Sequence, residues 1–256
     1  MSSANPSPAR PPSPWRHHRA FFERNQSRAL PQVPATFAPC EPATEALARV
    51  LARFQLGEAG EGRVAREIHR VRLAGIDADY RRALELFVKE EGRHARILAA
   101  LVRGLGGSLL THKTSAHLFR WCRRLLGLRF KMLVLLVAEV VGGEMYATLA
   151  RQARWPVVVA ALEQISVDEG HHLVFHSNFL RGQARTTLAR LAGRCALWTV
   201  GLAAVVVVLL ENRTDLTILS VNRRALASRM VSQLRLADEA AFANRDGCVS
   251  MNQCPR

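Results

Sequence analysis

Asp168-Glu169-Gly170-His171-His172 has a near copy 78 residues upstream, Glu90-Glu91-Gly92-Arg93-His94. Each holds a Glu-x-x-His pair: Glu91 with His94, and Glu169 with His172. Residues three apart on a helix are neighbours on one face, so a carboxylate and an imidazole at that spacing can grip one metal ion. The correspondence extends upstream. Glu61 lies 30 residues before Glu91, and Glu139 lies 30 residues before Glu169. The same offset of 78 therefore maps Glu61 onto Glu139, Glu91 onto Glu169 and His94 onto His172. The reading is of two helix hairpins, each carrying a lone glutamate and a Glu-x-x-His pair. The expected ligands are Glu61, Glu91, His94, Glu139, Glu169 and His172. Such a set is the general inventory of di-iron and di-manganese carboxylate bundles.

Charge and ligand type narrow the metal. Four carboxylates balance two divalent ions, which removes the cost of burying the acids unpaired. Oxygen-rich sites with one nitrogen per ion suit iron or manganese, so two iron ions are expected, with manganese or a mixed Mn/Fe pair as variants. Glu139 interrupts the apolar run Met132–Val141, where a charged residue calls for a partner. A buried ion pair with an arginine is the competing explanation for it. In the first half Glu58 is the reserve candidate, three residues from Glu61 and nearly on its face, whereas Glu67 is turned about 240° away. Glu144, about 140° round the helix from Glu139, reads as a solvated or helix-pairing residue. Tyr146, two turns beyond Glu139, reads as a core tyrosine. His176, one turn after His172, is a candidate extra ligand or supporting partner. Asp168 and His171 could orient a ligand, while Glu90 and Arg93 at the matching positions read as solvent-exposed. Gly92, Gly170, Gly142 and Gly143 imply either close helix approach or room beside the metals.

The surrounding periodicity is helical throughout. Helices are expected over Ala43 to about Gly75, Asp79 to Gly104, Leu128 to Arg154, and Pro156 to Arg181, with Asp77 or Asp79 capping the second. Pro156 suits a first helical turn. The connection from Leu105 to Gly127 is expected to hold a short helix from about Ser115. Two further helices, near Ala184 to Asn212 and Leu219 to Ala243, follow. The fold class is therefore all-α. Residues 1–42 read as a disordered Pro/Arg-rich tail, 43–183 as the di-metal bundle, 184–243 as C-terminal helices packed on it, and 244–256 as a flexible tail. The apolar block Cys195–Leu210 covers about 24 Å as a helix, short of the roughly 30 Å of a bilayer core. It reads as a helix buried against the bundle, with membrane contact through 195–210 as the alternative.

Composition excludes little but directs some choices. Hydrophobic residues make up 49% of the 256, enough for a large core. The net charge is +15, yet only Lys89, Lys113 and Lys131 are lysines; the arginines are scattered, without a basic run. A soluble basic surface accounts for this; nucleic acid or anionic lipid is the less favoured partner. Five cysteines without a Cys-x-x-Cys pair argue against zinc or a disulfide framework and for a reducing, cytoplasmic setting. No apolar stretch follows Met1, so no secretory signal is expected.

With those residues in place, the sequence resembles the ferritin-like superfamily of di-iron carboxylate four-helix bundles, over about residues 45–181. Asp168-Glu169-Gly170-His171-His172-Leu173-Val174-Phe175-His176 looks like the last metal helix of bacterial ferritin-like proteins of unassigned activity. The resemblance implies that Glu91 and Glu169 bridge the two ions, while Glu61, His94, Glu139 and His172 complete the individual sites. It implies an oxidoreductase that activates dioxygen or peroxide, with an electron donor and an unknown small-molecule substrate. The alternatives are a metal-handling or peroxide-scavenging protein, an RNA-modifying hydroxylase, and a non-catalytic membrane-associated protein. Oligomerisation is left open. The absence of a Cys-x-x-Cys module disfavours an ordinary rubrerythrin.

Overall fold

A computed structural model describes residues 13–59, 62–111 and 127–243. Among these, every regular element is a helix: α1 (Arg16–Gln26), α2 (Pro42–Glu58), α3 (Gly62–Ile68), α4 (Ala78–Gly104), α5 (Gly127–Gln152), α6 (Pro156–Gln183), α7 (Thr187–Glu211), α8 (Arg213–Ile218) and α9 (Arg223–Phe242). The four long helices of the bundle are α2, α4, α5 and α6. They pair as α2 with α4 and α5 with α6, and α4 packs across to α6. A link of only three residues, Ala153–Trp155, folds α5 and α6 into a hairpin. The expected short helix near Ser115 and the tail 244–256 lie outside the described residues.

The helix boundaries follow local chemistry. The Asp77 carboxylate caps α4 by accepting the Tyr80 N–H at 2.9 Å, satisfying one of the open donors of the first turn. Pro42 and Pro156 sit in the first turns of α2 and α6, where a missing N–H costs nothing. Thr186 and Asn222 cap α7 and α9. The first expected helix, Ala43 to about Gly75, is not continuous: α2 stops at Glu58, α3 stops at Ile68, and Gly75 adopts φ 77°, a left-handed conformation that glycine tolerates. The middle of helix α5 is apolar on all sides and is correspondingly buried, from Met132 to Val137 without a break. It shares one hydrophobic core with Leu51, Phe87, Leu98, Leu162, Phe175 and Phe179.

The N-terminal tail is the main correction. Prolines stop at Pro14 and resume at Pro31, leaving room for α1. Trp15, His18 and Phe22, spaced as one helical face, are buried. Trp15 donates to the Gly75 carbonyl at 2.7 Å and meets Tyr80 edge-on, while Phe22 packs on Phe87 and Phe175. Asn178 donates its amide to His18 Nε2 at 3.0 Å. Burial, aided by the neighbouring His17, holds this ring neutral by lowering its pKa to about 3. The segment expected to be disordered thus supplies a helix that closes over α4 and α6.

The C-terminal helices pack only in part as expected. Helix α9 lies against α5, α6 and α7. Helix α7 buries one face, through Leu197, Gly201, Ala204 and Val205, but Leu188, Leu191, Leu202, Val206 and Leu210 are exposed. Block 195–210 is therefore buried on one side only. Helices α5 and α7 are both long and apolar enough to cross a membrane; α5 is mostly buried and α7 mostly is not. A Cβ on Gly201 would fall 2.7 Å from a Leu234 methyl carbon, so glycine sets the approach of α7 to α9. Gly201→Val is expected to destabilise the chain by about 1–3 kcal/mol through overpacking. Thermal unfolding measures it.

Candidate metal centre

The bundle brings the two Glu-x-x-His pairs together at its centre. Glu91, His94, Glu169 and His172 are buried, and one ligand atom from each lies within 4.8 Å of all the others. His172 Nδ1 is 3.1 Å from Glu91 Oε1, 3.2 Å from Glu169 Oε2 and 3.4 Å from Glu139 Oε2. His94 Nδ1 is 3.3 Å from Glu169 Oε1 and 3.6 Å from Glu91 Oε1. Glu139, the charge inside the apolar run, thus faces the cluster and not an arginine. Glu61 lies outside the described residues. Glu58, the reserve candidate, ends α2 with its carboxylate accepting the Tyr146 hydroxyl and lying beside Glu91. Tyr146 is a buried core tyrosine, as expected, with the added task of holding Glu58.

Each imidazole is oriented by an acid: Asp168, a candidate for that role from the sequence, and Glu90, which was expected to face solvent. His94 Nε2 lies 3.2 Å from Asp168 Oδ2, and His172 Nε2 lies 3.0 Å from Glu90 Oε2. The residue before each motif glutamate therefore holds the histidine of the other motif. A carboxylate at Nε2 fixes the Nε2–H tautomer and leaves the Nδ1 lone pair pointing into the cluster. Glu90 and Arg93 are buried, contrary to the expectation of solvent exposure, and Asp168 is buried with them. His171 is half-buried and stacks on Phe21 at 3.8 Å.

His176 is fully buried, with Nε2 3.5 Å from Glu139 Oε1. Neither of its ring nitrogens has a hydrogen bond among the described residues. Burial and the neighbouring His172 lower its pKa to about 3, so it stays neutral. Phe87 meets the His172 and His176 rings edge-on at 4.8 and 4.7 Å, walling the cluster with apolar surface. Of the four glycines, Gly143 explains itself by close approach: its Cβ would lie 3.3 Å from Glu169 Cβ. Gly170 faces open space.

The donor set fits a pair of cations. Glu91 Oε1, Glu169 Oε1 and His94 Nδ1 are buried and lack hydrogen bonds among the described residues. Each such orphan costs about 1–3 kcal/mol unless something binds it. Protons take over part of that task in the metal-free chain. Burial, together with the charges of Glu139 and Glu169, pushes the Glu91 carboxyl up to about 8. Burial alone would lower His94, but Asp168 and Glu169 outweigh it and raise the imidazole to about 9. Burial and the charge of Glu139 likewise raise Glu169.

These shifts set a pH dependence. The folded metal-free chain holds protons that the unfolded chain releases near the ordinary values of 4.5 for a glutamate and 6.5 for a histidine. Stability is thus lost as the pH rises, up to about 8 through Glu91 and about 9 through His94. Metal binding displaces the same protons. Between pH 7 and 9 the metal-free protein is expected to melt at falling temperature, and the metal-loaded protein at nearly constant temperature. Differential scanning calorimetry on the two forms is the check.

No protein-family model matches the chain, and no curated protein matches it. Solved structures do. A tyrosine-to-phenylalanine variant of an R2-like ligand-binding oxidase with an aerobically reconstituted Mn/Fe cofactor superposes with TM-score 0.65 at 13% identity, covering 90% of this chain and 94% of that one. The R2-like ligand-binding oxidase with a reconstituted metal cofactor after photoconversion gives TM-score 0.65 at 12% identity, with 90% and 94% covered. The fold is accordingly the ferritin-like, R2-type helical bundle with additional C-terminal helices.

Proposed function

We propose that this protein is a di-metal carboxylate oxidoreductase that activates dioxygen or peroxide and oxidises a small organic molecule. Its ligands would be Glu91, His94, Glu139, Glu169 and His172, with Glu58 or Glu61 as the sixth. Two iron ions, or one manganese and one iron, suit that set. The observation that carries the reading is the convergence of two Nδ1 atoms and the surrounding carboxylates in a buried site, with an acid behind each imidazole. The structural neighbours are ligand-binding oxidases with Mn/Fe cofactors, which favours an oxidase over a metal store.

When bound, the ion pair supplies the electrons and the Lewis acidity for reducing dioxygen or peroxide. The chain's own residues do the rest. Glu90 and Asp168 hold the imidazoles in one orientation. Glu91 and His94 would release the protons they hold at a carboxylate oxygen and Nδ1 as metal enters. Phe22, Phe87 and Phe175 keep bulk water from the cluster. Returning the metals to their reduced form requires a separate electron donor. The test is anaerobic loading with ferrous iron followed by dioxygen. Consumption of dioxygen together with a change in the optical spectrum is expected, and loaded protein that leaves dioxygen untouched contradicts the proposal.

Free Cys40 and Cys195, both exposed, are in keeping with a reducing, cytoplasmic setting. The outward face of α7 is where a membrane or another copy would be met. Replacing Leu202 and Val206 together by lysine is expected to abolish detergent-sensitive association while leaving metal binding intact. Sedimentation with and without detergent reads this; a wild type indifferent to detergent removes the face from consideration.

A further inference from the structure

We propose that Arg28 and Asn25, carried by the N-terminal segment, are positioning residues that fix both metal-facing histidines by way of Asp168 and Glu90. The inference rests on the di-metal reading and extends it to a part of the chain remote from every ligand in sequence.

The geometry begins at the two second carboxylates. Asp168 is 1% exposed and accepts from His94 at 3.2 Å. Glu90 is 4% exposed and accepts from His172 at 3.0 Å. An acid so buried must be neutralised or fully hydrogen-bonded to remain an anion. Its histidine supplies one partner to each. The others come from a single strand of chain. The Arg28 guanidinium pairs with Asp168 and lies 3.9 Å from Glu90 Oε1. The Asn25 amide donates to Glu90 Oε1 at 2.9 Å and to Asp168 Oδ1 at 3.4 Å. One cation and one amide therefore tie together the two acids that hold opposite halves of the site. Arg28 is one-third exposed, so its pairing with Asp168 is reachable by substitution without opening the core.

The first motif anchors that strand in turn. Arg93, inside Glu91-x-x-His94, donates to the carbonyls of Asn25, Gln26 and Arg28. These carbonyls lie at the end of α1, where the last turn leaves acceptors open and the helix dipole is negative, so a guanidinium fits. Phe22 docks the preceding turn against Phe87 and beside His172, with ring centroids 6.4 and 5.8 Å apart. The result is a closed relay: Arg93 fixes the strand, the strand fixes Glu90 and Asp168, and these fix His172 and His94. Removing such supporting partners typically weakens metal binding about 10–100-fold.

The test uses the full chain and cobalt(II) as probe, titrated under visible absorption, with the metal-free unfolding temperature recorded beside it. Arg28→Ala is expected to weaken binding of one of the two ions at least about tenfold and shift its absorption band. The metal-free protein should remain folded and melt cooperatively, at a temperature lowered by the loss of one partner of Asp168 while His94 still pairs with it. Arg28→Lys restores the charge without the fork and should fall between the two. Glu23→Ala, on the exposed side of α1 beside Arg19, should match wild type. The proposal is overturned if Arg28→Ala binds cobalt as wild type does, or if Glu23→Ala loses as much as Arg28→Ala. If wild type itself binds no cobalt, the di-metal reading fails and the proposal fails with it. That outcome is distinct from wild-type binding that the Arg28 variants leave unchanged.

Discussion

Glu139→Ala is expected to lose both metal ions while remaining folded. Glu139 is 5% exposed within the apolar run Met132–Val141, and it lies beside His172 Nδ1 on one side and His176 on the other. Removing it takes a ligand from one ion and a negative charge from both. Two divalent ions would then face three carboxylates in a water-poor site, an imbalance that low dielectric magnifies. The metal-free chain responds differently. The charge of Glu139 helps to raise Glu91 and Glu169, so its loss relieves repulsion there. Against that stand a small cavity and the loss of one partner of His172. Metal-free Glu139→Ala is therefore expected to melt close to wild type. Ligand that binds only the folded state stabilises it by about 2.7 kcal/mol at a hundredfold excess over Kd. For a chain of this size that corresponds to a rise of roughly 5–10 °C. Wild type should show this rise on addition of ferrous iron or manganese, and Glu139→Ala should show none. An equal rise in the variant would remove Glu139 from the ligand set.

The second large effect separates Glu58 from Glu61. Glu58→Ala is expected to reduce the bound metal from two ions to one, whereas Glu61→Ala leaves two. The Glu58 carboxylate accepts from Tyr146 and lies beside Glu91; burial and the Glu91 charge push its pKa well above the ordinary value. Those are the surroundings of a ligand awaiting a cation. Tyr146→Phe keeps the carboxylate but removes its hydrogen bond, so metal affinity should fall about 10–100-fold with the stoichiometry retained. Metal content after gel filtration compares the variants. Loss of an ion in Glu61→Ala, with Glu58→Ala unaffected, would reverse the assignment.

The ambiguity between these two glutamates shows where sequence periodicity stops. The 78-residue offset pairs Glu91 with Glu169 and His94 with His172, which meet because α4 and α6 are unbroken where those residues sit; its third pair joins Glu139 to Glu61, which lies outside the described residues. It weakens in the first half because α2 ends at Glu58 and α3 begins afresh at Gly62. A repeat counted through a helix break no longer fixes which face a residue occupies. Asp168 was read as able to orient a ligand, but the same role for Glu90 was overlooked: both motifs carry an acid immediately before the metal glutamate, a repeated feature that solvent exposure would not require. Helix α1 was hidden by the prolines on either side of it, although the proline-free span from Trp15 to Leu30 carries an amphipathic spacing. The pairing of Arg28 with Asp168 joins residues 140 positions apart, and no local pattern signals it. Helix α7 shows the opposite limit. Its apolarity was plain, but composition alone does not say how many of its faces the bundle covers.

The most direct measurement is the metal content of wild-type protein loaded anaerobically with ferrous iron, or with manganese and iron together, and freed of unbound ions. The convergence of Glu91, His94, Glu139, Glu169 and His172 with one further glutamate predicts two ions per chain. A chain that retains fewer than one ion under those conditions would contradict the di-metal centre.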